Sequence, residues 1–190
     1  YAITIGNARG GTFNASNYAI SYVEGALSVT PFGLTITAAN QSKEYGNVFN
    51  FGGNEFTSVG LLNGDVINSV SLTSAGSVAT AGVLGSPYVI SASNAVGSGL
   101  GNYTITYVPG SMNVTAAPLS LRALNQSKIY GSTFSFDGTE FSATGLKNGE
   151  SVGLVDLAST GAVGTASVAG SPYAITIGNA RGGTFNASNY

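Results

Sequence analysis

The 190 residues include six Lys plus Arg, eight Asp plus Glu, and no His, Cys or Trp, for a net charge of −2. So few basic groups leave no stripe to track phosphates, which excludes nucleic acid, and no apolar run approaches the ~20 residues of a membrane-spanning helix. Zero Cys rules out disulfide staples and fits export through an oxidising periplasm, while 43% apolar content with regular aromatics points to folded modules rather than disorder.

Taken in chain order, the pattern is one of short strands. Tyr18–Tyr22 leads through Val-Glu-Gly-Ala into Leu27–Thr30, a predicted hairpin with a Gly-containing loop. Leu34–Ala38 alternates, with Leu34, Ile36 and Ala38 on one face and threonines on the other. Leu61-Leu-Asn-Gly-Asp65 carries the Asn-Gly pair of a tight turn, repeated at Leu146-Lys-Asn-Gly-Glu150. Val66–Leu72, Val78–Val83 and Tyr88–Ser91 read as further strands. Tyr103–Tyr107 alternates again and leads into Met112–Thr115 as a second predicted hairpin. Six or seven strands per unit predict an all-β chain of tandem small β-sandwich (immunoglobulin-like) modules in a rod. The competing fold is a β-grasp-like α+β module, marked by a helix within 55–70. For the sandwich, Leu34, Ile36, Phe49, Phe51, Phe56, Leu61, Val70, Leu72, Tyr88, Ile90, Ile105 and Val114 should line one core, and their equivalents at 119–175 another.

Two periods are nested in the chain. Residues 173–190 repeat residues 1–18 letter for letter, an offset of 173 − 1 = 172. Within that period, residues 33–87 match 118–172 at 28 of 55 positions, an offset of 85. The expected organisation is therefore the C-terminal part of a preceding repeat module at 1–32, a complete module at 33–117, and a module at 118–190 that lacks its last hairpin. Linkers at Pro31-Phe-Gly33 and Ala116-Ala-Pro118 are short, so successive modules should form a stiff rod with two closely similar joints. Residues equivalent to 19–30 are expected after Tyr190, through covalent continuity (the favoured option) or strand donation between subunits, and either yields an open-ended filament.

Asn40-Gln-Ser-Lys-Glu-Tyr-Gly46 and Asn125-Gln-Ser-Lys-Ile-Tyr-Gly131 carry a family resemblance. With the following Phe-x-Phe, Gly-Leu-x-Asn-Gly-Asp/Glu and Gly-Ser-Pro-Tyr motifs, the chain resembles the MBG domain of the YGX type. That resemblance covers essentially the whole chain. It implies a secreted, non-catalytic repeat of large bacterial surface proteins, including filamentous-haemagglutinin-like adhesins, and it transfers no binding residue. The expected function is the shaft of a giant extracellular filament or adhesin in cell attachment or biofilm. A glycan- or host-surface-binding module is the alternative. Expected partners are neighbouring identical repeats head to tail, with lateral bundling and glycans as further candidates.

Candidate chemistry is sparse. Without His or Cys there is no common neutral-pH base, thiol nucleophile or imidazole ligand, so no catalytic, cofactor or metal site is expected. Glu55/Glu140 and Asp65/Glu150 recur in both modules. The expectation is that Asp65 and Glu150 sit on exposed turns while Glu55 and Glu140 accept bonds from backbone or Lys. Calcium at the joints is weakened by linkers that contain no acid. Lys43 and Lys128 recur beside Asn40 and Asn125, which raises a Lys–Asn crosslink. Residues three apart on a strand face opposite ways, so Asn40 is the wrong partner, and a surface lysine is the plainer reading. Ten tyrosines raise sugar binding, yet their alternation with Thr is a core pattern.

Overall fold

A computed structural model describes residues 1–190. Thirteen strands and seven short 3-10 turns make up its regular structure. Module 33–117 is a two-layer sandwich. Its first sheet has the order β5 (Phe56–Val59), β3 (Phe32–Ala38), β8 (Tyr103–Val108). The second runs β4 (Gln41–Glu44), β9 (Gly110–Thr115), β7 (Tyr88–Gly97), β6 (Ile67–Thr73). The sandwich expectation holds. Residues 55–70 hold β5, the Asn-Gly turn and the start of β6 rather than a helix, so the β-grasp alternative fails.

The predicted hairpin of Tyr103–Tyr107 with Met112–Thr115 needs correction. β8 pairs parallel with β3, and β9 pairs parallel with β4, so the chain passes from one sheet to the other between Val108 and Gly110. β3 and β4 make the same passage beside it, at Ala39-Asn40. Two strands bending together crowd the corner: a Cβ on Gly110 would lie 2.5 Å from the Ala38 carbonyl oxygen. Asn40 Oδ1 then accepts the Ser111 N–H at 2.9 Å, satisfying a donor at the bend.

The core lies between the sheets. Leu34, Ile36, Ala38, Val70, Leu72, Ile90 and Met112 are buried, with Phe49, Phe51, Phe56, Leu61, Tyr88 and Ile105 packed against them. Eleven of the twelve expected core residues are therefore in this cluster. Val114 instead joins Tyr45, Ala81 and Ala117 in a second cluster at the end of the module. The expected strand Val78–Val83 is a loop closed by 3-10 turns at Ala75–Ser77 and Val83–Gly85, the first capped by Ser74. Both Asn-Gly turns are as expected, with positive φ at Asn63, Gly64, Asn148 and Gly149.

Module 118–190 repeats the first five strands only in part: β10 (Ser120–Ala123) pairs β11 (Phe141–Thr144), and β12 (Val152–Ala158) pairs β13 (Thr176–Gly183). Its residues include no counterparts of β8 and β9. The consequence is visible in burial. Val155 is buried like its equivalent Val70, but Leu119, Leu121 and Ile175 are only half-buried where Leu34, Ile36 and Ile90 are fully enclosed. The expected second core is present as an open half. Residues 1–33 are exposed throughout; there β1 (Ala2–Ile3) pairs β2 (Gly25–Ala26), and the predicted strand Tyr18–Tyr22 does not form.

Candidate functional site at the joint between modules

One cluster of polar side chains gathers where module 33–117 meets module 118–190. From the first module come Glu44 and Tyr45 at the end of β4, the loop Ala79–Val83, and Ala117. From the second come the Asn-Gly turn Lys147–Glu150 and the C-terminal residues Asn189 and Tyr190. Tyr45 donates its hydroxyl to Glu150 Oε1 at 2.5 Å, and Tyr190 donates to Glu150 Oε2. The Tyr190 oxygen also accepts the Lys147 N–H at 2.8 Å. The two tyrosine rings meet edge to face at 5.6 Å between centroids, a favourable aromatic geometry.

Around this centre, Lys147 Nζ lies 3.0 Å from Glu44 Oε1 at the partly exposed rim. Asn189 is buried and bridges the modules twice: its backbone oxygen accepts the Ala117 N–H at 2.8 Å and its Oδ1 accepts the Val83 N–H at 3.0 Å. Gly46 leaves room for the Lys147 stem, which a Cβ there would meet at 2.5 Å. The Tyr190 phenol is pushed up to about 12, first by burial and then by the Glu150 carboxylate. Tyr45 is raised from its ordinary value by the same two causes. Both phenols are thus held as proton donors to one carboxylate.

This geometry corrects the expectation for the recurring acids. Glu150 is not on a free turn; it is the acceptor at the centre of the joint. Asp65 has a related role within its own module, where Tyr103 donates to Oδ2 at 2.7 Å while its oxygen accepts the Leu62 N–H at 2.9 Å. Glu55 and Glu140 behave as expected. Glu55 accepts the N–H groups of Gly52, Gly53 and Asn54, and Glu140 those of Asp137 and Gly138. The backbone donors at Gly52 come first among the causes that hold the Glu55 carboxyl below its usual range. The structure keeps these pairs apart in separate roles, each tying down a turn.

The remaining candidates are also placed. Asn40 is engaged at the strand bend, and Lys128 Nζ donates to the Ser132 carbonyl at 3.0 Å. Lys43 is no surface lysine: its side chain is buried and Nζ has no hydrogen-bond partner. The joint contains acids after all, Glu44 and Glu150, contributed by a strand end and a turn rather than by the linker. No group of three or more Asp or Glu gathers to hold a metal ion. Several tyrosine hydroxyls are engaged internally, Tyr88 to Gly82, Tyr107 to Ala95 and Tyr173 to Ser167. Sequence reasoning assigned Tyr45 and Tyr190 no role at the joint. The recurrence of Tyr45 as Tyr130, beside a position that is Glu in one copy and Ile in the other, carries the signal.

The fold and the joint define a repeat module that meets its neighbour through fixed, directional contacts. Residues 34–113 match the family of the MBG domain (YGX type), and this module belongs to it. MBG domains occur in surface proteins as repeat domains and are generally non-catalytic structural modules. No curated protein and no solved structure matches the chain. No helix is long and apolar enough to cross a membrane.

Proposed function

We propose that this chain is a stretch of shaft: a non-catalytic structural repeat in a giant extracellular filament or surface adhesin, secreted or held at a bacterial cell surface, in cell attachment or biofilm matrix. Neighbouring identical repeats follow one another head to tail. The observation that carries this reading is the joint. A flexible tether has few contacts across it, whereas here Glu150 receives a hydroxyl from each module and Asn189 locks two backbone groups of the preceding one. Such contacts fix both tilt and rotation, and repetition of a fixed step makes a straight or gently twisting rod. Glycan binding has less support, because seven of the ten tyrosines that suggested it, all but Tyr1, Tyr18 and Tyr130, engage their hydroxyls within the fold.

Small-angle X-ray scattering tests the rod. The chain should scatter as one extended shape with a single inter-module distance. Tyr45→Phe together with Glu150→Gln should broaden that distance distribution while leaving the β-sheet circular dichroism in place. A wild-type chain that already scatters as two independently tumbling modules overturns the reading.

A further inference from the structure

Composition narrows the redox chemistry open to this chain. Cys and Trp, which compete with tyrosine for an oxidising equivalent, are absent, and the one methionine, Met112, is fully enclosed. One-electron oxidation therefore falls on the ten tyrosines. Among them, Tyr45 and Tyr190 are the one pair with rings in contact, at 5.6 Å between centroids and 81° between planes, and each comes from a different module. Their hydroxyls donate to the two oxygens of a single carboxylate, Glu150. Those oxygens are a fixed short distance apart, so the hydroxyl ends of the rings converge, and with them the carbons ortho to each hydroxyl.

The pose of Tyr190 belongs to the module fold itself. Inside module 33–117, Tyr103 donates to Asp65 and accepts the Leu62 N–H, just as Tyr190 donates to Glu150 and accepts the Lys147 N–H. The joint adds the second ring, Tyr45, at 3% exposure, while Tyr190 and Glu150 are half-buried and keep an edge to solvent.

We propose that Tyr45 and Tyr190 form a modification site at which a soluble one-electron oxidant joins the two modules through a dityrosine bond. Each phenol gives one electron to the oxidant and one proton to Glu150, which hands it on to water, and becomes a neutral phenoxyl radical. The two radicals pair their electrons in one C–C bond between ortho carbons. The hydrogen on each of those carbons then moves to its own oxygen and restores the hydroxyl. Two phenols lose two electrons and two protons in all, and two equivalents of oxidant are reduced. Glu150 favours the step because an acceptor is already in place for the proton that an oxidised phenol expels. Contact favours it again: radicals on exposed Tyr1, Tyr18 or Tyr130 must meet by collision, whereas these two are held together. Tyr88 and Tyr107 have neither advantage, since their hydroxyls bond backbone groups. The inference rests on the joint described above and makes its geometry permanent.

Photo-oxidation of the dilute full chain by a ruthenium tris-bipyridyl complex with persulfate, followed by trypsin digestion and mass spectrometry, tests the site. The peptide that follows Lys43 should be joined to the one that follows Arg181, two hydrogens lighter than their sum, from chain that still migrates as a monomer. Y45F and Y190F, which keep both rings, should each abolish that product, and Y130F should leave it. E150Q should slow its formation by at least about tenfold. Absence of the product while Tyr1, Tyr18 and Tyr130 are oxidised, its persistence in Y45F, or an undiminished rate in E150Q overturns the proposal. The scattering test uses unoxidised chain, so a rod whose tyrosines do not couple refutes this inference alone.

Discussion

Lys43 is the residue least at ease in the fold. Its ammonium is buried without a partner, and desolvation pushes it below the ordinary lysine value of 10.5. The unfolded chain holds that proton more tightly, so the penalty is full at neutral pH and fades as pH rises through the folded value towards 10.5. Lys43→Met should raise stability by about 1–3 kcal/mol and flatten this pH dependence, read by thermal unfolding between pH 7 and pH 10. The joint phenols have the opposite sign. Tyr45 and Tyr190 are raised, so their contribution is complete below the ordinary phenol value of 10.0 and is lost as pH climbs through about 12. Scattering should show the modules separating across that window, with Glu150→Gln narrowing it by removing the carboxylate that opposes a phenolate. Sequence patterning identified Glu55 and Glu140 as turn acceptors because their bonds are local. It missed Glu150, whose partner Tyr45 is 105 residues away.

Among the elements, the paired crossings of β3–β4 and β8–β9 set the limits of what sequence could reveal. Alternation in Tyr103–Tyr107 shows which side chains turn inward, and the structure agrees. Alternation says nothing about which sheet a strand joins, and a short Gly-containing link between two strands reads as a hairpin. The corner at Gly110 decides the matter sterically. Gly110→Ala should cost about 2–3 kcal/mol, because its Cβ meets backbone rather than a movable side chain. Gly101→Ala, in open space, is the control and should be near neutral. Denaturant unfolding of the two variants compares them. Val78–Val83, expected as a strand, instead lines the joint as a loop, with Ala81 buried there.

For the molecule as a whole, closure of each module depends on its last two strands. Where β8 and β9 are present, Leu34, Ile36 and Ile90 are sealed; their equivalents in module 118–190 remain half-open. Unfolding should therefore proceed in two steps, with module 118–190 first, and hydrogen exchange should show β10–β13 losing protection before β3–β9. The 85-residue repeat made the modules legible, but it could not show which surfaces join them, since a joint is built from residues far apart in sequence.

The parallel pairing of first strands with last strands has a mechanical consequence. A module loaded as part of a shaft is pulled at Phe32, where β3 begins, and at Thr115, where β9 ends. β3 lies parallel to β8 over six residue pairs and β4 parallel to β9 over four. Tension along the shaft slides these strands past one another, so their hydrogen bonds must break together instead of peeling one at a time. Single-molecule stretching should find module 33–117 yielding abruptly at high force, at a rate set by its barrier to unfolding rather than by its equilibrium stability. Substituting proline at Thr106 or Ser42, inside the sliding pairs, should lower that force more than proline in the exposed loop at Asn50. The topology that sequence alone reads as a hairpin therefore sets these strands in shear rather than in a zipper.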